Sequence, residues 1–168
     1  MNAKLIVEGK EFDIEILDPE LEKLIKPKNK TGYERVDKGE YYYYGLDDGN
    51  SSNSPDTLDD VDNKMYKSAN YYSDKIVAEN NARAEKLIRQ LRRFAVEHRN
   101  CQLNWNDDGQ NKYCIYYDYA SNSLEVECYH YLRTFGNIHF DTKESALAAI
   151  SSLNSELIWY FTEYKDSL

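Results

Sequence analysis

A helical stripe is the strongest constraint on what this chain can fold into. Between residues 73 and 99, Ala84, Leu87, Ile88, Leu91, Phe94 and Ala95 follow one another at three- and four-residue steps. That spacing places side chains on one face of an α-helix. Ser73 or Asp74 can cap its start by accepting from the unpaired N–H groups of the first turn. Arg83, Lys86, Arg89, Arg92, Arg93 and Arg99 cover the rest of the surface. The pattern predicts a long, basic, amphipathic helix, roughly 35–40 Å at about 1.5 Å per residue. Such a helix needs apolar surface to lie on. Leu87, Leu91 and Phe94 are expected to pack on the chain's own sheet, with a homodimer seam as the other use of the stripe.

The segments before it read as follows. Residues 4–16 predict a β-hairpin. Leu5, Ile6 and Val7 form one apolar run, and Phe12, Ile14 and Ile16 alternate with Glu11, Asp13 and Glu15, the period of a half-buried strand. Gly9 and Lys10 are the expected turn. Asp18 and Pro19 can open a short helix, with Leu21, Leu24 and Ile25 on one face and Pro27 at its end. Tyr41, Tyr42, Tyr43 and Tyr44 favour a strand with aromatic rings on both faces. Residues 46–63 hold six Asp but only Leu46, Leu58 and Val61 to bury. They predict an acidic, mobile loop.

The segments after it suggest a sheet covered by helix. Residues 112–119 read as a strand with Tyr113, Ile115, Tyr117 and Tyr119 on one side. Residues 121–123 can turn the chain into a second strand carrying Leu124, Val126 and Cys128, and residues 138–140 read as a third. Asp141 begins a capping-box pattern ahead of a helix with Ala146, Leu147, Ala149, Ile150 and Leu153 inward. Residues 157–161 are an aromatic helical segment expected to pack back on the sheet. No internal repeat is evident. The expected fold is α+β: an N-terminal β-hairpin region, one long basic amphipathic helix, and a C-terminal antiparallel sheet covered by one or two helices. Three regions are expected: 1–45, the acidic loop 46–63, and 64–168.

Charge is unevenly spread. The 168 residues carry a net charge of -9, yet residues 75–100 hold seven bases against three acids. Such asymmetry speaks about partners more than about fold. No apolar run approaches the ~20 residues of a membrane span, and no signal-peptide core follows the first residues. A cytoplasmic location with no membrane partner is expected. Cys101, Cys114 and Cys128 are an odd, widely spaced set, so reduced thiols are expected rather than a disulfide framework. Cys128 and His130, with Cys101, Cys114, His98 and His139, could approach a zinc ligand set, but no Cys-x-x-Cys pair supports it. A Cys114 thiolate activated by His139 or His130 is opposed by the place of Cys114 in an apolar strand. No Gly-rich loop precedes a helix, which argues against a nucleotide phosphate loop. The paired carboxylates Asp47 and Asp48, Asp59 with Asp60 and Asp62, and Asp107 and Asp108 lie in polar segments. Solvated charge is expected there, not the shaped cleft of acid–base catalysis. No metal and no cofactor is expected.

One longer phrase is distinctive. Residues 71–99 run Tyr71, Tyr72, Ser73, Asp74, Lys75, then Val77, Ala78, Glu79, Asn80, Asn81, Ala82, Arg83 and Ala84, and close on Arg89, Gln90, Leu91, Arg92, Arg93 and Phe94. Trp105 and Asn106 follow, then the Tyr-rich strand, the Phe140, Asp141, Thr142, Lys143, Glu144 phrase and the ending Leu157, Ile158, Trp159, Tyr160, Phe161. Together, over residues 71–164, they resemble small acidic accessory proteins of phages and integrated elements of Gram-positive bacteria. The resemblance transfers no catalytic residue. It implies a setting in which small acidic proteins counter host defence, the anti-CRISPR proteins being the best-known group.

The expected function is therefore a non-enzymatic, anti-CRISPR-like inhibitor working in the host bacterial cell. It would bind a host defence nuclease or CRISPR effector and block nucleic-acid access or assembly. Acidic groups spaced along a surface can imitate a phosphate backbone. Asp47, Asp48, Asp59, Asp60 and Asp62 are the candidate charges, and Tyr41, Tyr42, Tyr43 and Tyr44 the candidate contact area. Two alternatives belong to other classes. One is a nucleic-acid-binding regulator using Arg83, Lys86, Arg89, Arg92, Arg93 and Arg99. The other is a small guide-RNA nuclease using loop carboxylates and a divalent ion.

Overall fold

The computed structural model describes residues 2–7, 10–15, 30–133 and 135–167, the first two segments by backbone alone. The chain divides into two compact units, residues 1–30 and 31–168. In the first, β1 (Asn2–Val7) and β2 (Lys10–Glu15) form an antiparallel hairpin. Val7 pairs with Lys10, so Lys10 belongs to the strand rather than to the turn. The helix expected between Asp18 and Pro27 lies outside the described residues.

The second unit begins with the tyrosine strand. Its four consecutive rings give β3 (Tyr41–Gly45), which pairs antiparallel with β4 (Ser51–Pro55). Gly49 supplies the positive φ of 87° in the connection, a conformation that glycine adopts without steric cost. Helix α1 (Asp60–Lys67) follows, then α2 (Lys75–Glu97). The hairpin of β5 (Lys112–Asp118) and β6 (Ser123–Tyr129) leads to α3 (Lys143–Thr162), whose path is interrupted by one non-helical residue, Leu153. Asn122 turns the hairpin with φ 53°. The architecture is α+β.

Four expectations need correction. Residues 138–140 are not a third strand: Phe140 alone makes an isolated bridge, to Tyr113. Residues 46–63 are not one loop: they contain β4 and the start of α1. Low hydrophobicity gave the wrong signal because the polar groups are satisfied locally. The Asp59 side chain accepts from the N–H groups of Val61 and Asp62, closing a capping box. The boundary between units falls at residue 30, not at 45 and 63. The cap of α3 is Thr142, not Asp141. Asp141 instead accepts from the N–H groups of Asn100 (2.6 Å) and Cys101 (2.9 Å) after α2.

The main core joins Leu87, Leu91 and Ala95 of α2 to Ala146, Ala149 and Leu157 of α3 and to Phe140, with Tyr113, Ile115, Leu124 and Val126 of the β5–β6 hairpin packed against them. The stripe is thus covered within the chain. Leu87 is 1% exposed and Leu91 is 9%, which removes them as a dimer seam. A smaller cluster gathers Tyr72, Val77 and Ala78 with Tyr33 and Tyr43.

The architecture repeats although the sequence does not announce it. In each half a hairpin is followed by an antiparallel bridge from its first strand to the residue just before a helix. The bridges are Tyr43 to Tyr72 and Tyr113 to Phe140. Each is held by two backbone hydrogen bonds of 2.8 to 2.9 Å. The N-cap lies two residues beyond the bridge in both halves, Asp74 and Thr142. Ala78 and Ala146, each six residues beyond it, are both fully buried. Few identities accompany this frame, because a buried aromatic, a cap and a small residue are its main requirements.

Candidate functional site

The proposed acidic and tyrosine residues split into outward and inward sets. Tyr41 is 59% exposed. Tyr42 is buried, stacks on Tyr71 at 4.2 Å and donates its hydroxyl to Asp62. Tyr43 and Tyr44 are half-buried. Asp62 is also buried, and accepts from Thr57 N (2.7 Å), Thr57 Oγ1 (3.0 Å) and the Tyr42 hydroxyl (3.1 Å). Asp59 is consumed as a cap. Asp48 accepts from the backbone and side chain of Asn50, contacts that hold its carboxyl below the usual range. Asp47, Asp48 and Asp60 stay exposed. Asp47 and Asp48 sit in the β3–β4 connection and Asp60 in the first turn of α1, beyond the far end of β4. The five aspartates therefore do not form one patch.

Asp56 is the functional-looking carboxylate that sequence reasoning passed over. It is 0% exposed. It accepts from Arg35 Nε (2.7 Å) and Nη2 (3.0 Å), the Tyr71 hydroxyl (2.8 Å) and Leu58 N (2.8 Å). Arg35 Nη1 also donates to Asn63. The network closes every polar atom that faces it, as buried ionic groups require. Its members are 21 and 15 residues apart, so no local spacing pointed to them.

Three of the six basic residues expected on the helix are paired with acids of the chain. Arg83 forms a two-point pair with Glu156 of α3 (2.8 and 2.9 Å) and lies over Trp159 at 3.9 Å. Arg89 pairs with Glu85 and donates to the Asp47 carbonyl. Arg93 pairs with Glu97. Lys86 lies against Gly49. Arg92 and Arg99 instead line a cavity of about 410 Å³ near the end of α2, together with Arg133, Trp105 and His139. Arg133 sits over the Trp105 ring at 5.3 Å, and Trp105 meets the His139 ring edge-on at 4.7 Å. Burial pushes the His139 imidazole down; the positive charges of Arg133 and Lys112 push the same way, against a hydrogen bond that the ring donates to the backbone of Asn137. Lys112 is buried with its ammonium donating to the carbonyls of Asp107, Gln110 and His130, each at 2.8 Å. Sequence reasoning had Arg92 and Arg99 on the basic surface of the helix, without Arg133, Trp105 or His139 beside them.

Thiol chemistry is suppressed at Cys114. Burial, with Glu127 nearby, pushes its thiol up to about 11. Cys101 and Cys128 are exposed. Iodoacetamide at pH 8 should therefore modify two thiols rapidly in the native chain, and Cys114 only after denaturation, as mass spectrometry will read. Rapid native labelling of Cys114 would contradict this burial. Among the described residues, no group of three or more His, Cys, Asp or Glu side chains is placed to hold a metal ion. A second cavity, about 320 Å³, is apolar and lies between α2, α3 and the edge of β5. No helix among the described residues is long and apolar enough to cross a membrane. No family model matches this chain, and no curated protein or solved structure is significantly similar to it.

Proposed function

We propose that this protein is a non-enzymatic inhibitor of a host defence nuclease or CRISPR effector, carried by a phage or mobile element and acting through acidic, tyrosine-rich surface. The observation that carries the reading is the outer face of the β5–β6 hairpin. Tyr116 stands opposite Glu125 on it, Glu127 and Tyr129 follow along β6, and Tyr131 beyond the strand is 77% exposed. The cation on this face, Lys112, is buried and saturated by carbonyls. Tyrosine supplies large contact area at low entropic cost, and the carboxylates supply charge complementary to a cationic nucleic-acid channel. Asp47 and Asp48 add charge on the β3–β4 connection. Asp62 and Tyr42, two of the nine residues first expected, are buried and take no part in this surface.

The test is capture with the full chain, immobilised and exposed to lysate of a bacterium expressing its CRISPR and restriction systems. A stoichiometric nuclease or guide-RNA complex is the expected product. With that complex in hand, Glu125→Gln plus Glu127→Gln should weaken binding at least tenfold and flatten its salt dependence. Recovery of nothing but nucleic acid would overturn the inhibitor reading in favour of the basic-helix regulator. Unchanged binding in the double variant would reject the hairpin face while leaving the inhibitor class standing.

A further inference from the structure

The two halves of the repeat differ in how their polar interiors are neutralised. Tyr42 and Lys112 occupy the same place, one residue before the bridge, and both are buried. Tyr71 and His139 likewise correspond, one residue before Tyr72 and Phe140. In the first half the chain provides its own anion: Asp56, two residues past Ser54, the strand partner of Tyr42. It answers both Arg35 and Tyr71. In the second half the residue two past Tyr129, the strand partner of Lys112, is Tyr131, which is exposed. Among the described residues no acidic side chain lines the cavity there. Its charged walls are Arg92, Arg99 and Arg133.

Two further observations fall at the same place. His139 is 7% exposed, and its Nε2 has no hydrogen-bond partner among the described residues. The buried Nε of Arg99 is also without one. Both residues line the cavity. Buried polar atoms are ordinarily satisfied, so a cluster of exceptions calls for an explanation. Asp141, a buried carboxylate that does not line the cavity, accepts from Asn100 and Cys101 through Oδ2, and its Oδ1 is likewise without a partner among the described residues.

We propose that the cavity bounded by Arg92, Arg99, Arg133, Trp105 and His139 is a binding site for a phosphoryl anion, supplied from outside the chain where the first half uses Asp56. Guanidinium groups bind carboxylates and phosphates alike through paired, charge-assisted hydrogen bonds. Three of them on one cavity with no carboxylate in its lining favour the doubly charged phosphate, with its larger number of acceptor oxygens, over a singly charged carboxylate. The volume lies within the range of small-molecule clefts. The site does not depend on the hairpin face or on the inhibitor reading.

The probes are inorganic phosphate, adenosine monophosphate and a 5′-phosphorylated tetranucleotide, titrated into the full chain at low ionic strength with chloride as the control anion. Calorimetry gives affinity, and NMR follows the Trp105 indole and His139 ring resonances. Saturable binding is expected, with both rings shifting and affinity falling as salt rises. Arg133→Gln and Arg92→Gln, both at exposed positions, should each weaken binding at least tenfold while Arg93→Gln, on the Glu97 pair, leaves it unchanged. Phosphate binding as tightly as the other two assigns the site to the anion alone. Tenfold tighter binding of the nucleotide or the tetranucleotide assigns the phosphate to that source. Shifts equal to those with chloride, or binding indifferent to Arg133→Gln and Arg92→Gln, would overturn the proposal and leave Asp141 as the site's own counter-charge.

Discussion

Replacing Asp56 with alanine should lower the unfolding free energy by about 3–5 kcal/mol, the cost of leaving one member of a buried ion pair alone. Four donors converge on this carboxylate, and the variant removes the acceptor of the Tyr71 hydroxyl and leaves Arg35, 26% exposed, with Asn63 as its remaining partner. Arg35 above all, helped by Tyr71 and the Leu58 N–H, holds the Asp56 carboxyl well below the usual range in spite of burial. The Tyr71 hydroxyl responds in the opposite sense, pushed up to about 12 by burial and by Asp56. The sign of the pH dependence follows. A carboxylate with a depressed folded value stabilises the chain above its unfolded value, near ~3.9, and this is lost as pH falls through the folded value. Urea unfolding at pH 7 and at pH 3 should show the wild type losing stability on acidification. Asp56→Ala should lose less over the same interval, having no such group to protonate. A loss below about 1 kcal/mol at pH 7 would show that the network is not what holds Tyr71 and Arg35 in place.

Phe140→Ala should cost about 3–5 kcal/mol, in the range of large aromatic truncations in a close-packed core. Phe140 is 1% exposed and sits among Leu87, Leu91, Ala146 and Leu157. Its backbone also holds the bridge to Tyr113 through two bonds of 2.8 Å. Those bonds survive the substitution, so the measurement isolates the side chain. Phe140→Leu keeps most of the volume and should cost less than about 1.5 kcal/mol. Denaturant midpoints for the three chains at constant slope will decide it. Equal losses in the two variants would mean that the hairpin and the helices do not share one cooperative core.

Much of the element plan was legible. The stripe from Ala84 to Ala95 marked α2, and Ser73 or Asp74 its start, of which Asp74 is the cap. Alternation around Ile115 and Val126 marked β5 and β6. These patterns are local: a 3.6- or 2-residue period is written in consecutive positions and needs no knowledge of the rest of the chain. The acidic segment failed because hydropathy counts polarity without asking whether a polar group has a partner. Ser51–Pro55 became a strand because the tyrosine strand offered it a ladder, and Asp59 and Asp62 capped the helix that follows. The candidate site fared worse. Asp62 and Tyr42 were grouped with exposed residues, Asp56 and Arg133 received no role, Trp105 entered only through the resemblance, and His139 only as a candidate zinc ligand or activator of Cys114.

The sequence by itself determined where most of the helices and strands lie, β4 and α1 excepted, that the longest helix is amphipathic, and that acid exceeds base. Tertiary structure alone decided which charges are consumed inside the fold and which remain for a partner. Arg83 and Asp56 resemble Arg92 and Asp47 in every local respect, yet Arg83 is answered by Glu156, 73 residues away, and Asp56 by Arg35, 21 residues away. The reason is physical. A charge is retained in the interior only when folding brings a partner to within hydrogen-bond distance, and that distance is set by contacts between elements, not by the composition of either one.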